Sequence, residues 1–310
     1  MKTGDEITIA PAELVAGGAA LARIDGFPIF VTNIFPGDVA IVRLTEVKKG
    51  FARAELVRIV VPSALRRAAP CPIAEECGGC DWTALRLDHQ LEAKKKILVE
   101  SLRRIGKIYE HPPIAIHASP LNYRLRSRLQ SDGDAVGFYA MGSHRVVPLA
   151  AECEVVGVET ARVFGGGQAT LPVRTDKIVC PPLSAWEIDG RLIVGDAELT
   201  IGVDGFTYHL STSSFFQVNR HQLAPLLHLV TGHASRVQRR ELAVDLYAGV
   251  GFFTLPLSQM FDRVIAVEAS RDPYTTIDIT QAAVEDFEMP KADFIFLDPP
   301  RAGTLKSVVE

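Results

Sequence analysis

Three apolar runs near the C-terminal end constrain this chain most: LAVDLYAG (242–249), RVIAVEAS (263–270) and ADFIFLDPP (292–300). Each carries an acidic residue at its C-terminal edge, Asp245, Glu268 and Asp298 in turn. Short runs of aliphatic and β-branched residues suit strands buried on both faces, as in a parallel sheet covered by helices. A doubly wound sheet binds its ligands outside the carboxyl ends of the strands. The pattern therefore predicts an α/β fold for residues 215–310, with three carboxylates on the edge where a ligand is expected.

The turn after the first run supports this reading. Gly249 and Gly251 follow a strand and open a helix, so backbone can approach a ligand there. The third glycine of a dinucleotide signature is replaced by Thr254. A nucleoside without a pyrophosphate asks for something else: a tight turn and a carboxylate able to accept both ribose hydroxyls. S-adenosylmethionine is such a ligand. Pro299 and Pro300 stiffen the loop after the third run. Amino-group methyltransferases have an aromatic residue after such prolines, stacked on the target base. Arg301 stands in that place and argues against methylation of an exocyclic amine; a guanidinium suits a phosphate or a base carbonyl. SSFFQVN (213–219) combines two aromatics with two amides, which fits a base-stacking loop and equally fits core and capping.

The first 61 residues behave differently. ITIA, AALARI, PIFV, VAIVRLTEV and FARAELVRIV alternate apolar and polar positions between glycine turns. Five such strands predict a small barrel of the oligonucleotide-binding type. Residues 62–214 are expected to form a central α+β domain, with a helix over 87–106 whose apolar stripe is Leu91, Ile97, Leu98, Leu102 and Ile105. The chain has 47% hydrophobic and 23% charged residues, no apolar run long enough to span a bilayer and no secretory leader pattern. A soluble, cytoplasmic, monomeric protein is the expectation. Net charge is −4, yet basic residues crowd three runs, Lys48–Arg67, Lys94–Lys107 and Arg124–Arg128. These are solvated faces or a local surface for phosphates.

CPIAEECGGC (71–80) holds three of the five cysteines, Cys71, Cys77 and Cys80. In a reducing compartment, thiols this close are more often metal ligands than a disulfide. Cys153 is the fourth ligand that the sequence offers, whereas Cys180, before Pro181 and Pro182, has the character of an incidental buried thiol. Spacing alone does not separate a four-cysteine zinc site from an iron–sulfur cluster. Zinc ranks first on frequency, with a disulfide pair third.

Taken in order, the barrel, C-x5-C-x2-C, a distant cysteine, FFQVN, DLYAGVGFFTLPL, VIAVE and LDPPRAG resemble the RNA 5-methyluridine (uracil-C5) methyltransferases. The likeness covers nearly the whole chain and is greatest to the branch that modifies 23S ribosomal RNA and carries an N-terminal TRAM barrel. It implies a [4Fe-4S] cluster on Cys71, Cys77, Cys80 and Cys153, reversing the zinc ranking. It also implies S-adenosylmethionine contacts at Gln217, Tyr247, Glu268 and Asp298, to which the glycine turn adds Gly249 and Gly251. Phe252 stands where many relatives have a polar residue.

Two departures qualify the resemblance. Residues 269–292 are too few for the helix, strand and second crossover that normally lie between the Glu268 and Asp298 strands. Pro273 and the β-branched Thr275, Thr276, Ile277 and Ile279 predict an irregular or extended segment instead of a helix. The family's cysteine nucleophile and carboxylate base have no counterpart up to Glu310, so no catalytic residue is assigned. The expectation is a C-terminally truncated, inactive chain. The alternative is a non-catalytic RNA-binding iron–sulfur protein derived from that family, and a zinc-containing nucleic-acid-binding protein is a third reading.

Overall fold

The computed structural model describes residues 1–151, 153–157, 174–180, 186–188, 191–194 and 196–309. They divide into two compact units: residues 1–118 with 138–153, and residues 119–137 with 154–310.

The first unit opens with β1 (Glu6–Ile9), β2 (Glu13–Leu14), β3 (Ala20–Ile24), β4 (Phe27–Val31), β5 (Val39–Val47) and β6 (Ala52–Val61). They form one barrel-like sheet in the order β1-β5-β6-β4-β3-β2, antiparallel except for the β4–β6 pair. The five strands expected from alternation are present. The two-residue β2 is additional, because a strand that short has no alternation to read. Inward residues such as Ile29, Ala40, Val42, Leu44 and Ala52 are sealed from solvent, and Leu85 joins the same core from beyond the barrel.

Asp38, completely buried, closes this unit. It accepts the Phe35 and Ser63 amides at 2.6 and 2.8 Å and a two-pronged Arg66 guanidinium at 2.7 Å to each oxygen. Arg66, read from sequence as part of a basic run, is thus a structural counter-ion.

Helix α1 (Leu87–Arg104) occupies the predicted position, but the apolar stripe does not act as one. No residue of the helix is buried, Leu98 is 45% exposed, and Ile105 lies past the helix end at 82%. Leu91, Ile97 and Leu102 are partly buried, whereas Leu98, about 100° round from Ile97, turns to solvent.

After α1 the chain enters the second unit, forms β7 (Ser127–Asp132) and begins β8 (Val136–Tyr139), and from Phe138 is back in the first, where β9 (Val146–Pro148) precedes Cys153. In the second unit β10 (Arg174–Cys180), β11 (Trp186–Ile188) and β12 (Arg191–Val194) join β7 and β8 in an antiparallel sheet. Cys180 closes β10; its side chain lies outside the described residues. A hairpin of β13 (Glu198–Val203) and β14 (Phe206–Ser211) turns at Asp204–Gly205, both at positive φ.

Helix α2 (Leu223–Ala234) then leads to a parallel sheet of β15 (Leu242–Leu246), β16 (Arg263–Glu268), β17 (Ile279–Gln281) and β18 (Phe294–Leu297), with the short α3 (Thr254–Ser258) after β15 and α4 (Lys306–Val309) after β18. The order is β17-β16-β15-β18, every pair parallel. Hairpin β13–β14, α2 and the glycine turn share one core, with Tyr208, Leu210, Phe216, Leu227, Phe252 and Leu257 all buried. Each such side chain contributes about 1.5–3 kcal/mol on burial. Residues 269–278 contain no helix, and the segment between β17 and β18 holds a single 3-10 turn, Val284–Asp286.

Candidate functional site

β15 lies between β16 on one side and β18 on the other, so the chain leaves it in opposite directions. That is a topological switch point, where a parallel sheet opens a crevice at its carboxyl edge. The three carboxylates predicted from the sequence come to this edge.

Glu268, ending β16, receives the Gly249 amide on Oε2 at 3.0 Å and the Ser270 amide on Oε1 at 2.9 Å. Its carboxylate is therefore held in one orientation beside the glycine turn. Gly249 has φ +56°, and the space where a Cβ would stand is open. Tyr247 sits at φ +61°, a conformation disfavoured for a bulky residue and found most often at functional sites. Across the crevice, Gln217 Nε2 donates to Asp298 Oδ2 at 2.9 Å. Five of the predicted residues, Gln217, Tyr247, Gly249, Glu268 and Asp298, thus line this edge or its turn. Gly251 faces the connection after β16.

The FFQVN aromatics divide. Phe216 is buried, ringed by Tyr208 and Phe252 at 5.7 and 5.3 Å between centroids, whereas Phe215 is 64% exposed. Only Phe215 is disposed to stack on a base. Phe252 belongs to the core.

Asp245 is the buried member of the carboxylate group. Thr254 Oγ1 donates to its Oδ2 at 2.5 Å, and its Oδ1 has no partner. Burial, with the charges of Asp298 and Glu268 adding to it, pushes its pKa up to about 7.

Sequence reasoning missed two partners. The Tyr247 hydroxyl donates to Glu285 Oε1 at 2.9 Å and lies 2.6 Å from Thr304 Oγ1. Both residues sit in short irregular segments, where no periodicity marks them.

Cys71, Cys77, Cys80 and Cys153 lie in the first unit and are partly buried. The loop is laid along residues 139–141: Gly78 N–H donates to the Tyr139 carbonyl at 2.8 Å and Met141 N–H to that of Glu76 at 3.2 Å. A Cβ on Gly78 would meet the Tyr139 oxygen, and one on Gly79 the Phe138 ring. Among the described residues, however, no three His, Cys, Asp or Glu side chains gather as a metal-binding group. As arranged, the thiols do not form the shell that a cluster needs.

Much of the basic charge is paired. Arg43 bridges Glu6 and Glu55, Lys48 and Arg53 meet Glu46, Lys96 meets Glu13, and Arg103 and Arg104 meet Glu100. Lys49, Arg58, Lys94, Lys95 and Lys107 are exposed and make no ion pair among the described residues. No helix among those residues is long and apolar enough to cross a membrane.

Comparison with known proteins identifies the family and the fold. Residues 192–291 match the family described as tRNA (uracil-5-)-methyltransferase, and residues 4–57 match the TRAM domain. An uncharacterized RNA methyltransferase of Bdellovibrio bacteriovorus is 31% identical, over 97% of this chain and 78% of its own length. One from Aquifex aeolicus is 28% identical over 95% and 83%. The Pyrococcus abyssi tRNA (uracil-54, C5)-methyltransferase, solved with S-adenosyl-L-homocysteine, has the same fold with a TM-score of 0.69. It is 20% identical over 97% of this chain and 85% of that one.

Proposed function

The chain belongs to the RNA methyltransferases that carry a tRNA (uracil-5-)-methyltransferase domain and a TRAM domain, and on that premise we propose that it serves S-adenosylmethionine-dependent methylation of uracil C5 in RNA. The observation that carries the reading is the pairing of Glu268 with Gly249 on one side of the switch point and of Gln217 with Asp298 on the other.

The residues fit the cofactor. Glu268, fixed by two amides, would accept the ribose hydroxyls, and the open space at Gly249 lets backbone approach the nucleoside. Gln217 and Asp298 would hold the polar amino-acid end, and Tyr247, tied to Glu285, would flank the base. When bound, S-adenosylmethionine supplies an electrophilic methyl group on a sulfonium.

Uracil C5 is a poor nucleophile until a thiolate adds at C6. After methyl transfer a carboxylate base takes the C5 proton and the thiolate leaves. The base must be flipped out of structured RNA to reach the crevice; exposed Phe215 is placed to stack on it or on a neighbour. The unpaired lysines of the first unit and Arg58 would hold the phosphates. We assign 23S ribosomal RNA as the target, a monomer as the working form and the cytoplasm as the compartment. The organisation is an RNA-binding barrel at 1–61, a central domain at 62–214 and a cofactor domain at 215–310.

A [4Fe-4S] cluster on Cys71, Cys77, Cys80 and Cys153 is part of the proposal on the strength of the sequence pattern, and loading it requires the thiols to move together. With those four allotted and Cys180 in the antiparallel sheet, none of the five thiols is assigned as the nucleophile. Cofactor binding and turnover are therefore expected to separate. Calorimetry with S-adenosylhomocysteine is expected to show binding. Incubation with labelled S-adenosylmethionine and unmodified ribosomal RNA is expected to give no 5-methyluridine. Absence of cofactor binding overturns the proposal, and labelled 5-methyluridine overturns the assignment of the thiols.

A further inference from the structure

Neighbouring parallel strands are ordinarily joined through a crossover helix. Between β16 and β17 a non-helical strap does this work, and it is fastened at three points. Asp272, 4% exposed, accepts the Ser211 amide on Oδ2 at 2.8 Å, and the Ser214 hydroxyl donates to the same oxygen. Its Oδ1 accepts the Tyr274 amide at 2.8 Å. Thr275 Oγ1 donates to the Val250 carbonyl at 3.2 Å, and Ile277 fills the space that Gly251 leaves.

The serine segment is gripped from its other side as well. The Arg126 guanidinium donates to the Ser214 carbonyl at 2.6 Å and to the Ser213 carbonyl at 3.2 Å. Ser211 Oγ lies within 3.0 and 3.1 Å of the Ser213 and Ser214 hydroxyls. Immediately downstream come exposed Phe215, buried Phe216 and Gln217, whose amide meets Asp298. A buried carboxylate is an expensive fastener, since burial alone disfavours its charge. Here the donors from Ser214, Ser211 and Tyr274 outweigh burial and hold Asp272 below the usual carboxylate range. A charged clamp has a directional effect that apolar packing lacks: it fixes the position and rotation of residues 211–214 against the strap.

We infer that Asp272 is a positioning residue, which through Ser211 and Ser214 sets Gln217 against Asp298 and presents Phe215 at the mouth of the crevice. The inference rests on the reading of this edge as the cofactor site. It goes beyond that reading by giving the strap a role in place of the helix.

A double-mutant cycle with S-adenosylhomocysteine as the probe tests it. Ser214→Ala and Asp272→Ala are each expected to weaken binding about tenfold, as loss of a hydrogen bond to a charged group would. Gln217→Ala is expected to weaken it alone but to add little in the Asp272→Ala background, because coupled residues are not additive. Ser214→Ala, a single-atom change, serves if Asp272→Ala fails to fold. Phe215→Trp supplies a readout independent of the cofactor: its fluorescence anisotropy is expected to fall when Ser214→Ala is added. Additive binding losses, or unchanged affinity and anisotropy in folded variants, overturn the inference. A wild-type chain that binds no cofactor, yet loses anisotropy in the Ser214→Ala variant, refutes the cofactor reading and leaves the clamp standing.

Discussion

Ile277 lays its side chain over Gly251, in the space that any Cβ at position 251 would have to occupy. Gly251 also has φ +84°, which side-chain-bearing residues rarely adopt. Two independent constraints therefore fall on one residue. Gly251→Ala is expected to destabilise by about 1–3 kcal/mol through overpacking, with added backbone strain. Ile277→Ala in the same chain relieves the crowding but not the φ, so thermal denaturation should recover part of the loss and no more. Full recovery would mean that the strap, and not the backbone, sets the glycine.

The Gln217–Asp298 bond is partly open to solvent, so it contributes little to folding and more to ligand orientation. Gln217→Ala is expected to leave the melting temperature nearly unchanged. S-adenosylhomocysteine affinity should fall by about tenfold, the loss of one hydrogen bond involving a charged group. A large drop in melting temperature with intact affinity would place Gln217 in the scaffold.

How far this site was legible follows from where the residues lie. Asp245, Glu268 and Asp298 are visible in the sequence because each follows an apolar run, and strand ends in a parallel sheet converge by construction. Absence of a helix after Glu268 was legible from Pro273 and its β-branched neighbours, but the parallel β17 that follows was not, being three residues long. Glu285 and Asp272 were invisible: each acts through a contact across a long sequence separation, with no local pattern to announce it. Arg66 misled for a related reason, since a basic run looks the same whether its members face phosphate or a buried carboxylate.

Asp245 gives the fold a pH dependence of defined sign. Its folded pKa, about 7, lies above the unfolded value of 3.8, so the native state holds a proton that the unfolded chain releases. The favourable contribution is fully present below about pH 4. It is lost as pH rises toward 7, and it is flat above that. Asp245→Asn, which mimics the protonated form, is expected to be more stable than wild type at about pH 8 and nearly equal to it below the unfolded value of 3.8. Urea titrations under the two conditions decide this, and a constant difference between them would rule out Asp245 as the titrating group.

Asp38 acts in the opposite sense. Burial alone would raise its pKa, but the Arg66 guanidinium and the Phe35 and Ser63 amides outweigh it and bring the pKa below the model-peptide value of 3.8. The contribution is present above that value and lost as pH falls through the folded pKa. Removing one partner of such a buried pair costs about 3–5 kcal/mol, because the other charge is left unpaired. Arg66→Met is therefore expected to destabilise strongly, and Asp38→Asn with Arg66→Met to cost less than the sum of the singles. Additive losses would show that the two residues act separately.

The cysteine loop sets the final test. Gly78 and Gly79 press the loop against Tyr139 and Phe138, so the backbone that carries Cys77 and Cys80 is already held in place. Cys77 Sγ accepts the Gly79 amide at 3.4 Å, and cluster binding requires thiolates. What the arrangement lacks is convergence of the side chains into a metal-binding group among the described residues, which cluster loading would have to supply. Anaerobically purified protein is therefore expected to contain iron and sulfide in near-equal amounts, with a broad visible absorption that bleaches on reduction. Cys153→Ser should abolish that absorption and Cys180→Ser should leave it intact. Stoichiometric zinc without iron would restore the structural-zinc interpretation of the same four thiols. Loss of the chromophore in Cys180→Ser, with retention in Cys153→Ser, would exchange the fourth ligand.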